Sequence, residues 1–198
     1  MDKPFAESCV ENCEPIFAVL APRVSDCSSL FEIGSGTGQH AVYFAPRLPQ
    51  LVWHTSDRSQ NHPGILAWLT ESGVTNVRTP VSLDVLHDPW PSGPFDAAFS
   101  ANTAHIMSET AVAAMLTGVA GLLRPGGRFF LYGPFNYHGE FTSDSNARFD
   151  AWLKERDPAM GIRDLDWLTR EAGRHGLDLV EDIEMPVNNR TLVWQRRS

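Results

Sequence analysis

The sequence predicts an open α/β fold, a mostly parallel sheet with helices on both faces, and three stretches predict it. In Ser29-Leu30-Phe31-Glu32-Ile33-Gly34-Ser35-Gly36-Thr37-Gly38-Gln39-His40 an apolar run ends in an acid. It then passes through three alternate glycines into an amphipathic segment, Ala41 to Leu48. That order reads as buried strand, tight turn and helix N-terminus. In Leu123-Arg124-Pro125-Gly126-Gly127 a helix ends and turns, and the apolar run Arg128 to Gly133 follows as a second buried strand. Near the end, Leu177 to Glu184 and Leu192 to Gln195 read as two strands joined by Met185-Pro186-Val187-Asn188-Asn189-Arg190, a closing hairpin.

The 198 residues suit one domain, 1–198, and a hydrophobic content of 42% with 20% charged residues supplies an ordinary soluble core. A net charge of −8 with scattered Lys and Arg argues against a surface made to neutralise nucleic-acid phosphates. Cys9, Cys13 and Cys27 form no disulfide framework. Cys9 and Cys13 can share a helical face, but no second ligand pair stands near, so no metal site is expected. Free thiols suit a reducing, cytoplasmic compartment. The opening residues lack the apolar core of a signal peptide and no run reaches membrane-spanning length, so no membrane partner is expected.

In chain order, residues 7–23 read as a helix with an apolar stripe of Val10, Ile16, Phe17, Val19 and Leu20. It covers a ligand cleft or packs on the sheet, and Asn12 is its conspicuous polar residue. At the glycine loop the backbone must turn sharply and admit a ligand without a Cβ in the way. The N–H groups of the following helical turn favour an anionic group. Gln39 stands where a dinucleotide fingerprint needs Gly or Ala, and the loop has no P-loop lysine. The next strand, Leu51 to Asp57, ends in an acid 23 residues after Gly34, where this fold class places a carboxylate for ribose hydroxyls. An N-cap role would explain Asp57 as well. Ile65 to Glu71 forms a helix and Val77 to Val81 a third strand. In the turn Ser82-Leu83-Asp84-Val85, Asp84 can accept from an adenine amine while the next backbone N–H reaches a ring nitrogen; turn chemistry alone also accounts for an Asp there. Phe95 to Ser100 is a fourth strand, and Asn102 and His105 follow at its carboxyl end, the ligand edge of an open sheet. A helix from Glu109 to Leu123 buries Val112, Met115, Leu116, Val119, Leu122 and Leu123. From Pro134 to Arg163 the pattern loosens into a lid-like insertion with a helix over Asn146 to Glu155, and a further helix covers Asp164 to His175.

The glycine loop resembles the E/D-x-G-x-G-x-G loop of class I S-adenosylmethionine-dependent methyltransferases, and the Pro-Gly-Gly turn resembles the one before their fifth strand. Nearly the full length resembles the domain-of-unknown-function 938 family, of the methyltransferase-like protein 26 type. Asn12 with Glu14-Pro15-Ile16, Gln39-His40, Tyr132-Gly133-Pro134-Phe135, Ser145 to Asp150, Gly161 to Leu165 and Met185 to Asn189 carry that resemblance. Cys13 departs from it, standing where a basic residue is expected. The resemblance implies a Rossmann-like class I methyltransferase fold, a seven-stranded mostly parallel sheet with an antiparallel last strand, and S-adenosyl-L-methionine as cofactor.

Cofactor contacts are then expected from Asn12, Glu32, Gly34, Ser35, Gly36, Gly38, Gln39, Asp57, Asp84, Val85 and Asn102. Acceptor contacts are expected from Tyr132, Asn136, Asn146, Arg163, Asn188 and Asn189, with Arg163 suiting a carboxylate. Methyl transfer asks mainly for orientation; where a base is needed, His105 or His138 is the first choice. The function expected is methyl transfer to a small polar acceptor through oxygen, nitrogen or sulfur, carboxylate-bearing if Arg163 meets it. A cofactor-binding regulatory module without turnover and a protein methyltransferase are the alternatives. The sequence leaves the oligomeric state open.

Overall fold

The computed structural model describes residues 3–198. The chain runs α1 (Glu7–Arg23), β1 (Ser29–Glu32), α2 (Gln39–Phe44), β2 (Val52–Asp57), α3 (His62–Ser72), β3 (Val77–Ser82), β4 (Phe95–Ala101), α4 (Glu109–Leu122) and β5 (Leu123–Gly133). It continues through β6 (Phe135–Asn136), α5 (Asp144–Arg156), β7 (Arg163–Asp164), α6 (Leu165–Arg174), β8 (Leu177–Met185) and β9 (Asn189–Arg196). The main sheet has seven strands in the order β3-β2-β1-β4-β5-β9-β8, and β6 pairs with β7 in a separate two-stranded ladder. Pairs from β3 through β5 are parallel, while β9 is antiparallel to both neighbours, as expected of the last strand. Strand order reverses between β1 and β4, so the crevice for a ligand opens outside their carboxyl ends.

The central strands read as continuous apolar runs because helices cover both faces. Along β5, Phe129 and Leu131 enter the core beneath α4 and α6, while Phe130 and Tyr132 enter the core beneath α1 and α2. Successive side chains of a strand point to opposite faces, which is what this division requires.

Two boundaries differ from the sequence expectation. The helix stops at Leu122, and the Pro-Gly-Gly turn lies inside β5: Phe95 pairs with Leu123 but Ala97 with Arg128, so residues 124–127 bulge from the ladder. The loosened stretch after β5 is also tied down, Phe135 pairing with Arg163 and Asn136 with Asp164. Among the described residues no helix is long and apolar enough to cross a membrane.

Candidate active site

The glycine loop leaves β1 and is fastened on both sides. The N–H of Ser35 donates to the Ser56 carbonyl at 2.9 Å, and Ser100 Oγ donates to the Ile33 carbonyl at 2.8 Å. Gly34 adopts φ +72°, and a Cβ there would stand 2.7 Å from Thr103 Cγ2, so the turn after β4 packs directly on the loop. Gly36, at φ +57°, has no atom within 4 Å of the position a Cβ would take and presents bare main chain to open space. Its N–H donates to Asp57 Oδ2 at 2.7 Å, while Asp57 Oδ1 accepts from the Arg58 N–H and from Asn61 Nδ2. The carboxylate closing β2 therefore braces the loop. It does not cap the following helix.

Glu32 lies beneath the loop, its Oε2 accepting from Ser35 Oγ at 2.8 Å and from Trp53 Nε1 at 2.9 Å. Burial raises its pKa to about 7, against the lowering effect of the Trp53 and Ser35 bonds. The last two residues of the motif, Gln39 and His40, link the loop to the N-terminal segment. Gln39 Oε1 accepts from the Ala6 N–H at 2.7 Å, and its Nε2 donates to the Ala6 carbonyl. His40 Nε2 pairs with Asn12 Oδ1 at 2.8 Å, its ring stacked on Phe44. Burial pushes His40 down to about 4, so it is neutral and Nε2 carries the proton that Asn12 accepts.

A cavity of about 690 Å³ opens at the carboxyl ends of β4 and β5, between α1, α5 and the β8–β9 turn. It adjoins the glycine loop through Asn102, a non-glycine residue at φ +58° whose neighbour Thr103 packs on Gly34. Such backbone persists only where the surroundings impose it, as at many functional sites. Asn12, Asn102, His105, Tyr132, Asn146 and Asn189 line the cavity, so the structure gathers these six of the expected residues. His105 is held down to about 4 by burial and by the Arg163 charge, with no hydrogen bond contributing. Burial pushes the Tyr132 phenol up to about 12, with the Asn189 amide opposing.

Other expected residues stand elsewhere. Arg163 does not reach the cavity: its guanidinium donates to the carbonyls of Ala104, Met107 and Ala159, so the carboxylate anchor expected of it is replaced by a brace on the turn after β4. His138 is exposed and paired with Asp166 at 2.8 Å, which raises its pKa; it is not the base expected of it. Asp84 accepts from the Leu86 N–H and His87 Nδ1, bonds that lower its pKa, as a turn residue does. Val85 packs against the α4 side of the core. Gln39 bridges Ala6 and the loop, its Oε1 also accepting from Thr37 Oγ1 at 2.9 Å. Asn136 is buried outside the cavity with its Oδ1 unpartnered. Asn188 faces solvent and donates to Ser145 Oγ.

Sequence reasoning missed the cavity's aromatic wall. Asn146, Phe149, Leu153 and Arg156 recur at helical spacing along α5, and Trp152 stands beside them. That stripe was legible, but a half-polar helix pattern does not say whether its apolar face meets core or cavity. Among the described residues no group of His, Cys, Asp or Glu is placed to hold a metal.

Residues 3–196 match the model of a family described as a protein of unknown function, DUF938. Among solved structures the chain is similar to an O-methyltransferase family protein from Burkholderia thailandensis, at 17% identity and TM-score 0.84, covering 97% of this chain and 58% of that one. It is similar to the S-adenosylmethionine-dependent methyltransferase SibL at 19% identity and TM-score 0.80, covering 96% and 56%. It is also similar to the mitomycin 7-O-methyltransferase MmcR at 17% identity and TM-score 0.80, covering 94% and 54%. The chain thus spans a little over half the length of these structures. The likeness at this identity is one of fold, and it matches the expected Rossmann-like methyltransferase sheet.

Proposed function

This chain belongs to the DUF938 family, and on that premise we propose that it is a cytoplasmic S-adenosylmethionine-dependent methyltransferase acting on a small molecule held in the cavity after β4 and β5. Residues 1–198 form one methyltransferase domain in this reading, with 134–163 as its lid. One observation carries it. A histidine kept neutral, with ring nitrogens free of partners among the described residues, lines a cavity whose Asn102-Thr103 edge abuts the bare glycine loop.

The residues present fit S-adenosylmethionine. Gly36 leaves main chain uncovered, Asp57 stands beside it with carboxylate lone pairs beyond the bonds it already accepts, and Glu32 offers a carboxyl for an ammonium group. Ser35, Gly34 and Gly38 shape the turn. Asn12 and Asn102 stand where the loop meets the cavity. Buried free thiols at Cys13 and Cys27, pushed up to about 12 and about 11 by burial, support a reducing setting.

When bound, S-adenosylmethionine supplies a methyl group on a sulfonium that departs as a neutral thioether. The protein's own task is to align the acceptor and receive the proton it gives up. Orientation of this kind supplies roughly 7–11 kcal/mol in favourable cases. His105 takes the acceptor's proton and returns it to solvent at the cavity mouth. An imidazole held near 4 is a weak base, but it stays unprotonated across the neutral range and is always ready to accept.

The test is calorimetry with S-adenosylmethionine, followed by S-adenosylhomocysteine release in a metabolite extract. Binding is expected, with turnover reduced about 10²–10⁴-fold in His105→Gln. The acid limb of kcat/KM should fall near pH 4, not near 6.5. Binding without release from any acceptor would leave a regulatory module, and no binding would sink the assignment.

A further inference from the structure

We propose that the cavity selects a neutral, planar aromatic acceptor of about two fused rings, lying on the Phe149–Trp152 pair and presenting a hydroxyl to His105. This rests on the methyltransferase reading and adds its substrate class. Three independent features of the cavity point the same way.

The wall is made for a flat ring. Phe149 and Trp152 stack with centroids 5.8 Å apart and planes 19° off parallel, and the His105 ring meets Phe149 edge-on at 5.2 Å. Trp152 nevertheless stays 48% exposed, with Ile106 at 50% beside the same opening, so apolar surface is held open at the cavity. Arg156 already lies over the Trp152 ring, so a further ring meets this wall at Phe149 and at the Trp152 edge, where offset and edge-to-face contacts are favourable. The volume of about 690 Å³ falls in the range of small-molecule sites and exceeds the need of a single ring.

The charges do not suit an ionised acceptor. Arg163, the cation that would meet a carboxylate, is turned onto three main-chain carbonyls outside the cavity. Arg156 lies over the Trp152 ring at 4.5 Å, at the exposed rim. A carboxylate drawn past the Arg156 rim would lose its water without a cation to pair with, since Arg163, whose charge reaches His105, has its donors engaged by carbonyls.

The polarity of two amides is preset. Asn12 gives its Oδ1 to His40, which leaves Nδ2 as a donor without a partner among the described residues. Asn146 gives its Nδ2 to Thr142 Oγ1 and the Asn188 carbonyl, which leaves Oδ1 as an acceptor. One donor on α1 and one acceptor on α5, with the neutral imidazole between uses as donor or acceptor, read the edge of an uncharged heteroatom-bearing ring.

The experiment titrates the full chain with 2-naphthol, 2-naphthoate and 2-methoxynaphthalene, following Trp fluorescence and calorimetry, with S-adenosylhomocysteine titrated in parallel. We expect 2-naphthol to bind at least tenfold more tightly than either analogue. Trp152→Ala, an exposed site whose loss leaves the core intact, should weaken 2-naphthol by about 3–10-fold. Asn146→Leu serves as a second variant, expected to lower the affinity for the hydroxylated probe alone. Naphthoate binding as well as naphthol, or a naphthol affinity indifferent to both variants, would overturn the proposal. Binding of S-adenosylhomocysteine without any naphthol would remove the acceptor class and leave the methyltransferase reading standing. Naphthol binding without S-adenosylhomocysteine would do the reverse.

Discussion

Glu32 shows how one residue can hold an energetic cost at the centre of a site. Both of its hydrogen bonds fall on Oε2, and burial outweighs them, raising the carboxyl from 4.5 to about 7. A pKa raised by folding favours the protonated form, so its stabilising effect is complete below about 4.5 and is lost as pH rises through 7. The shift corresponds to roughly 3 kcal/mol. Glu32→Gln, which keeps the shape and removes the charge, should therefore gain stability of that order at pH 8 and little at pH 4.5. Urea unfolding at the two values checks it; equal effects at both would mean that the carboxyl does not titrate in the fold. At this scale the sequence was an uneven guide. Spacing located Glu32, the glycines and Asp57, because strand, turn and carboxylate follow one another locally. It did not foresee that Arg163 would be held by the carbonyls of Ala104, Met107 and Ala159, or that Gln39 would join loop residue Thr37 to the main chain of Ala6. No local pattern encodes a hydrogen bond to a carbonyl that only the tertiary fold brings near.

At the scale of elements, α1 and α2 hold each other. An α2 of six residues is far too short to be stable alone. It is held through Gln39 to Ala6, His40 to Asn12, Tyr43 to Glu14, and Phe44 stacked on Phe17 at 6.1 Å. Ser8, Glu11, Asn12 and Pro15 of the same α1 line the cavity, so one helix meets the glycine-loop helix on one side and the cavity on the other. His40→Leu would strand the Asn12 Oδ1 in the interior, a cost of about 1–3 kcal/mol. The double variant Asn12→Leu, His40→Leu should recover part of it. A double-mutant cycle by denaturant unfolding measures this coupling, and strict additivity would deny the latch. The major elements were legible because apolar period and turn residues mark them. The β6–β7 ladder was not, since two residues per strand leave no period to read.

For the whole molecule, the same buried groups set how the fold responds to acid. The three-layer order was legible from both faces of the strands being apolar, whereas titration depends on which polar residues those layers enclose. His40 and His105 are pushed from 6.5 to about 4 by burial, His105 also by Arg163. Burial and Arg78 lower His54 in the same direction, while Asp166 raises exposed His138. Between pH 6.5 and 4.5 the unfolded chain thus binds about two protons at His40 and His105 that the native state refuses. The native state keeps one at Glu32 that the unfolded chain has released. The net excess is close to one proton in the unfolded state, so stability should fall by about 1.4 kcal/mol per pH unit across that window. Above pH 7 the last of the Glu32 proton, and then the raised thiols, reverse the sign, which places the maximum near neutrality. Below 4.5 the histidine excess closes as the native rings titrate near 4, and the acid loss passes to Asp96, where burial is outweighed by hydrogen bonds from Ser28 and Ser29 and by Arg124, and the carboxyl is held well below the usual range. Denaturant unfolding at half-unit steps from pH 4.5 to 8 tests this. Glu32→Gln should double the acid slope by deleting the opposing proton, and a slope unchanged in that variant would show that the glycine loop's carboxylate and the buried histidines do not share one linkage.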